Sequence, residues 1–409
     1  MRIAYLTADY GIPVFGNKGA SIHVREMSTA LQSIGHEVHI FTPRLGGERP
    51  AGFDLPVTEV RFGKVQKGLV DTMKADPAIS DPAMKEIRSM LYGVTLVQEL
   101  LPALEGWQPD AIYERYSLMS TAGVDLAKRL GIPHIIEVNA PLADEAEAHR
   151  GLGFSRTVRE TERMILQSAD YVLAVSEELR EWLIGTGVAP ERITVTPNRV
   201  NIDRFARAAA MKPERPTVGF VGTLKAWHGT ATLVEAIGEI ARERGIDDTP
   251  QLLIVGDGPQ RDMLETLARD QGITDLVRFT GMVDHDEMAG YIGRMSIAVA
   301  PYNPQPGFYF SPLKIFEYMA AGRAIIAANI GQIPQIVEQG RTGLLVEPGD
   351  TSALAAAITS LLDDRAQLNA LGAKALREAV DEYSWEKNAR VVEALVATPL
   401  EAAVAGGDR

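Results

Sequence analysis

The sequence predicts an α/β protein with two domains, each built on a parallel sheet. Two observations carry this expectation. Apolar runs of strand length alternate with amphipathic segments along most of the chain, the mark of βαβ units. The alternation also starts twice, at Ile3 and again at Thr217, and each start reads strand, glycine-bearing loop, helix. The length of 409 residues suits two domains of roughly 180–200 residues better than one core. The expected division is 1–200 and 201–383, with the polar, proline-bearing stretch from Thr196 to Asp203 as the linker.

Charge and composition narrow the function classes. The chain has 41 Lys and Arg against 54 Asp and Glu, a net charge of −13, which argues against nucleic acid as the main partner. Without cysteine there is no disulfide, thiolate metal site or cysteine nucleophile. The chain enters a strand-like run directly after Met-Arg, so no signal peptide is expected. No apolar run reaches the ~18 residues of a membrane span. A cytoplasmic location is the expectation.

In the first half, a strand over 3–8 leads into a loop holding Gly11, Gly16 and Gly19, then a helix over 21–34 and a strand over 37–42. A glycine loop between the first strand and helix is where open α/β sheets bind ligands, and Gly19 stands at the helix start, where anions bind. The spacing is not that of a dinucleotide fingerprint. Segment 76–104 has a strong helical period. The basic residues Arg61, Lys64, Lys67, Lys74, Lys85 and Arg88 lie in and before it. A solvated face over a core helix is the favoured reading, with peripheral membrane contact as the alternative. Strands over 110–113 and 134–138 bring Arg115, Glu137 and Asn139 to strand ends, the functional rim of a parallel sheet. The competing reading makes Glu114 and Arg115 a surface pair. A helix over 155–168 and a strand over 171–175 follow, with Ser176 capping the next helix.

The second half repeats the plan. The strand over 217–221 opens into Gly222-Thr223-Leu224-Lys225-Ala226-Trp227-His228-Gly229, where Lys225 and His228 are placed to donate to a phosphate. Strands over 252–255 and 297–300 flank the turn at Gly256 and the short strand and turn at Arg278 to Met282. Asp284-His285-Asp286 has the look of a metal motif, but Asp286 is better read as a helix cap. Further on come a strand over 324–327, a helix over 333–339 and a helical region over 351–396. Ala403 to Arg409 reads as a disordered tail.

The stretch from Phe308 to Gly322 organises this half. Ser311 has the chemistry of an N-cap and Pro312 suits the first helical position; Gly322 fits the helix end. Free N–H groups at such a start favour a phosphate. Glu317, one turn further on, supplies two acceptor oxygens for a ribose. Together they suit a nucleoside diphosphate.

These residues resemble a known family. Gly-His-Glu-Val (35–38), Val-Gly-Thr-Leu…His-Gly (221–229), Val-Gly-Asp-Gly-Pro (255–259), Ala-Pro-Tyr (300–302), Lys-x-x-Glu-Tyr-Met-Ala-x-Gly (314–322) and the Gly340–Asp350 motif resemble the retaining nucleotide-sugar glycosyltransferases of family 4 (group 1). The likeness spans nearly the whole chain and is strongest over 217–350. It implies a GT-B fold: two Rossmann-like domains with parallel sheets facing a central cleft, the acceptor in the first domain, the donor in the second. It also implies a C-terminal helix, 384–396, crossing back to the first domain.

By position, the resemblance assigns Glu317 to the ribose and Ser311, Pro312 and Leu313 to the pyrophosphate or sugar. Gly19 falls on the loop that closes on the donor phosphates, and Phe279, Thr280 and Met282 on the base-binding edge. Gly222, Thr223, Gly256 and Tyr309 complete the donor set; Lys225, His228 and Asn139 are the catalytic candidates; Arg115 and Glu137 lie on the acceptor side. Three positions depart from the family pattern. Tyr309 stands where a glutamate precedes Glu317 by eight residues. Thr223 and His228 replace an arginine and a lysine of the phosphate loop, leaving Lys225 or a protonated His228 to substitute. The Asn139 region replaces a histidine.

The expected activity is metal-independent, retaining transfer from an NDP-sugar, with UDP or GDP as the nucleotide, to a glycan, lipid or small-molecule acceptor. No cofactor beyond that co-substrate and no nucleic acid is expected. The alternatives are a nucleotide-sugar epimerase or hydrolase of the same fold, and a nucleotide-sugar-binding protein without catalysis.

Overall fold

The computed structural model describes residues 1–305 and 307–397; the expected tail over 403–409 lies outside them. The chain forms two compact units, Met1–Pro197 with the segment from Trp385 onward, and Asn198–Ser384.

In the first unit the elements run β1 (Arg2–Thr7), α1 (Gly19–Ser33), β2 (Glu37–Thr42), β3 (Val57–Glu59), α2 (Lys64–Lys74), α3 (Asp81–Trp107), β4 (Ala111–Arg115), α4 (Ala122–Leu130), β5 (His134–Val138), α5 (Leu142–Arg150), α6 (Ser155–Ser168), β6 (Tyr171–Ala174), α7 (Glu177–Gly185) and β7 (Ile193–Val195). The seven strands pair in the order β3-β2-β1-β4-β5-β6-β7, every neighbour parallel. The order reverses between β1 and β4. At such a switch point the loops after the two strands run apart and leave a crevice. Strands β1, β4 and β5 are buried almost throughout, as expected of strands covered on both faces.

The second unit holds α8 (Ile202–Ala210), β8 (Thr217–Val221), α9 (Thr230–Arg244), β9 (Gln251–Val255), α10 (Arg261–Asp270), β10 (Val277–Phe279), α11 (His285–Gly293), β11 (Ile297–Ala300), α12 (Leu313–Ala320), β12 (Ala324–Ala328), α13 (Ile333–Ile336), β13 (Leu344–Val346), α14 (Thr351–Asp363) and α15 (Arg365–Glu382). Its parallel sheet has the order β10-β9-β8-β11-β12-β13, with the switch between β8 and β11. One apolar cluster lies on each face of this sheet. Asn201 caps α8 by accepting the Arg204 N–H. The last helix, α16 (Trp385–Ala397), belongs to the first unit. Trp385 is buried edge-on to His23 of α1 at 4.7 Å, and Asn388 Nδ2 donates to the Pro197 carbonyl at 2.9 Å.

Several boundaries differ from expectation. The helical period over 76–104 belongs to α3, which Ser80 caps by accepting the Ala83 N–H; Lys64, Lys67 and Lys74 before it lie on a separate helix, α2, with no buried residue. Asp284, not Asp286, holds the cap position of α11, and Asp286 lies in its first turn, where a carboxylate suits the helix dipole. The helix at 333 ends at Ile336. Among the described residues no group of three His, Asp or Glu is disposed to hold a metal, and no helix is long and apolar enough to cross a membrane.

One buried cation ties the second unit together. The Arg323 guanidinium donates to the carbonyls of Ala208, Ala209 and Met211 at the end of α8, Gly293 and Met295 at the end of α11, and Ala321 after α12, at 2.7–3.3 Å. Three helix C-termini present their negative ends to one positive charge.

Candidate functional site

At the switch point of the second unit, β8 and β11 pair only through Val218 and Gly219. The Tyr318 hydroxyl enters the gap beyond and accepts the Val221 N–H at 2.8 Å. The loops after β8, β9 and β11 meet there. The Leu224 N–H donates to Asp257 O at 2.9 Å, and Asn303 Nδ2 donates to Ala226 O at 2.7 Å. The Trp227 ring stacks on Phe310 at 5.0 Å and Tyr302 at 5.9 Å. Two glycines permit this closeness. A Cβ on Gly229, at φ 69°, would overlap the Pro301 carbonyl, and one on Gly256, at φ 133°, would overlap the Gly222 carbonyl.

Most of the expected donor residues gather around these loops. Gly222, Thr223, Lys225 and His228 follow β8, and Gly256 follows β9. Phe279 ends β10; Thr280 Oγ1 donates to Gly281 O at 2.8 Å, and Met282 is 81% exposed. Arg261 lies 5.7 Å from the Phe279 ring. Tyr309 and Glu317 are half-buried. Ser311 is not the cap of α12. Pro312, in an extended conformation, holds that position, so Leu313 and Lys314 open the helix with no side-chain cap. Ser311 is engaged elsewhere: its hydroxyl accepts the Asn198 N–H at 2.9 Å and its carbonyl the Asn198 amide at 2.6 Å. The open helix start required for an anion remains.

His228 departs from its expected role. Its Nδ1 bonds the Thr223 carbonyl, which only accepts, so Nδ1 carries the proton and Nε2 is left as an acceptor. Burial, then the nearby Lys314 charge, pushes its pKa down to about 3. The ring is neutral at physiological pH and is no cationic substitute. Lys225 remains exposed, 6.0 Å from the Trp227 ring.

The residue that sequence reasoning left without a role is Lys314. It is 9% exposed, and its ammonium nitrogen is buried without a hydrogen-bond partner among the described residues. The nitrogen lies 4.1 Å from the Phe220 ring centre, 5.1 Å from that of Tyr302, and 2.9 Å from where a Cβ on Gly222 would stand. Desolvation, against the attraction of Glu317, brings its pKa to about 7. The signal was present: a lysine between Leu313 and Ile315-Phe316, in a helix whose other early positions are apolar, faces the core.

In the first unit, Gly19 opens α1 as expected, and Arg25 holds the preceding loop by donating to Val14 O at 2.5 Å and Gly16 O at 2.8 Å. Arg115, Glu137 and Asn139 do converge, but on one another. Glu137, 3% exposed, accepts from Arg115 at 2.9 Å, from the Tyr113 hydroxyl and from the Asn139 amide, with His23 Nε2 at 3.4 Å. Burial opposes its ionisation; its cationic and hydrogen-bonding neighbours outweigh burial and hold the carboxyl below its usual range. Burial pushes His23 down to about 4, leaving Arg115 as the cation of the cluster. Arg115 and Glu137 thus form an internal clamp that fixes the ends of β4 and β5. Glu114 is likewise no surface residue: it pairs with His134 at 2.9 Å in the interior.

Comparison with known proteins fits this geometry. Residues 17–204 match the model described as Glycosyltransferase Family 4, and residues 215–364 the model described as Glycosyl transferases group 1. The chain belongs to the family 4, group 1 glycosyltransferases. It is 29% identical over 405 residues to a glycogen synthase of Mycobacterium tuberculosis, covering 94% of this chain and 92% of the relative. It is 28% identical over 400 residues to a D-inositol 3-phosphate glycosyltransferase of Streptomyces scabiei, covering 91% and 84%. Among solved structures, sucrose-phosphate synthase from Thermosynechococcus elongatus superposes with a TM-score of 0.70 at 24% identity, covering 96% of this chain and 98% of that one. Anabaena HepE in complex with UDP gives 0.71 at 17%, covering 97% and 100%. The fold of this glycosyltransferase is GT-B.

Proposed function

We propose that this glycosyltransferase takes its sugar from a nucleoside diphosphate sugar, UDP or GDP being the nucleotide, and transfers it with retention and without a metal. The observation that carries the reading is the unpartnered ammonium of Lys314 beneath the Gly222 loop, beside the open start of α12. An anion there is drawn by both the helix N–H groups and a cation held in low dielectric. Glu317, one turn on, accepts from the ribose hydroxyls, and the base lies along Phe279 to Met282. A fold neighbour was solved in complex with UDP, which supports a nucleotide at this end.

In the reaction the bond from the anomeric carbon to the β-phosphate oxygen breaks, and negative charge builds on that phosphate. The Leu313 and Lys314 N–H groups and the Lys314 and Lys225 ammonium groups stabilise it, a task for positive charge that a divalent ion performs elsewhere. The acceptor hydroxyl forms its bond to the anomeric carbon from the face the phosphate leaves, and its proton passes to the departing β-phosphate oxygen. No side-chain base is required, which suits a site whose expected glutamate is Tyr309. NMR of the product formed from an α-linked donor tests this. An α-linked product made in the presence of chelator is expected; a β-linked product, or loss of activity with chelator, contradicts it.

A further inference from the structure

We propose that the crevice at the switch point of the first unit binds an acceptor carrying a phosphate group, a phosphorylated sugar or polyol. The proposal deepens the transferase reading above and rests on it.

The cavity, about 550 Å³, is lined by Ala8 to Gly11 after β1, by Ser117 and Leu118 after β4, and by residues of α3 and α5. It therefore stands where the strand order reverses, the position at which open parallel sheets take ligands. Its walls are basic in an otherwise acidic chain. Lys85 and Arg88 come from α3, and His149 and Arg150 from the end of α5. None of Lys85, Arg88 and Arg150 takes part in an ion pair among the described residues. Arg88 is also fixed in place. Its guanidinium carbon lies 3.9 Å from the Tyr10 ring centre, and that ring is itself wedged against Phe62 at 5.9 Å and Tyr92 at 5.0 Å. A planar guanidinium held on an aromatic face is prepared for two-point binding of a phosphate.

The same cavity presents Asp9 and Glu145, which suit hydroxyl groups and repel a second anion. Asp9 Oδ1 already accepts the Gly11 N–H at 2.6 Å, keeping its other oxygen for a ligand. Cations and carboxylates lining one cavity fit a molecule with a phosphate and free hydroxyls. A neutral glycan would offer Lys85, Arg88 and Arg150 no charge to pair with. The phosphate source is either a soluble sugar or polyol phosphate or a lipid headgroup of the same chemistry.

The test uses the whole protein with its donor site filled by saturating nucleoside diphosphate. Calorimetry compares glycerol phosphate and hexose phosphates with glycerol and the parent hexoses; vesicles of phosphatidylcholine with and without phosphatidylinositol phosphate form the second arm. At least one phosphorylated probe is expected to bind roughly tenfold or more tighter than its neutral counterpart. Arg88→Gln and Lys85→Gln are each expected to remove most of that difference while leaving nucleoside diphosphate affinity unchanged, which also verifies folding. Binding of the free phosphates identifies a soluble acceptor; binding confined to phosphoinositide vesicles and lost in the same variants identifies the lipid. If no phosphorylated probe binds in either arm, or the variants bind as well as wild type, the proposal is overturned. A loss of nucleoside diphosphate binding by the wild type would instead overturn the donor reading.

Discussion

The ammonium of Lys314 stands 4.1 Å from the centre of the Phe220 ring, buried and without a hydrogen-bond partner among the described residues. A cation in that position is held at the expense of stability, because desolvation opposes its charge and a ring face returns only part of the loss. The arrangement makes physical sense if a ligand supplies the missing anion.

Lys314→Met is accordingly expected to divide stability from binding. The folded pKa is about 7 against an ordinary 10.5, so the unfolded chain holds the proton more readily between these values. Protonation there opposes folding, and the penalty is fully present at and below about 7. Removing the lysine should stabilise the free protein near neutral pH, on the order of 2 kcal/mol, while weakening nucleoside diphosphate sugar binding about tenfold or more. Urea unfolding and calorimetry on the same variant measure both. A destabilised variant with unchanged affinity would make Lys314 a packing residue only.

Arg323 gives a purely structural contrast. Its guanidinium satisfies carbonyls at three helix ends, a geometry that one ammonium cannot copy. Arg323→Lys should lower stability by about 2 kcal/mol or more, seen as a lower denaturation midpoint. The affinity of the protein that remains folded should hardly change.

Acid sensitivity follows from His228. The unfolded chain protonates it near 6.5, the folded chain only near 3, so protonation in this window favours unfolding. Its contribution is fully present above about 6.5 and is lost as pH falls towards 3, with a slope of at most about 1.4 kcal/mol per pH unit. In His228→Asn, whose amide can still donate to the Thr223 carbonyl, the fall in stability on acidification should be shallower than in wild type. Parallel curves for the two proteins would remove His228 from the account.

What the sequence revealed was mostly local. The strands over Glu37–Thr42, His134–Val138, Thr217–Val221 and Ile297–Ala300 have the bounds their apolar runs indicate, because a buried parallel strand needs little beyond its own side chains. Glycine turns were legible for the same reason, aided by family motifs. Non-local pairing was hidden. Nothing in the spacing of Arg115, Glu137 and Asn139 says that they satisfy one another in the interior. Nor does the local pattern show that Asn198, more than a hundred positions away, engages Ser311 and leaves Pro312 at the helix cap. The neutrality of His228 depends on burial and on Lys314, which only the packed loops bring together.

The central claim is that the switch point of the second unit holds a nucleoside diphosphate sugar, with its phosphates at the start of α12 and its ribose on Glu317. Calorimetric titration of wild type and Glu317→Ala with UDP- and GDP-sugars tests it most directly. The account predicts tight binding of at least one donor by wild type and an affinity about 10–100-fold lower in the variant, as expected when hydrogen bonds to a charged acceptor are lost. Equal affinity in the two proteins, or no binding of either donor by wild type, would contradict it.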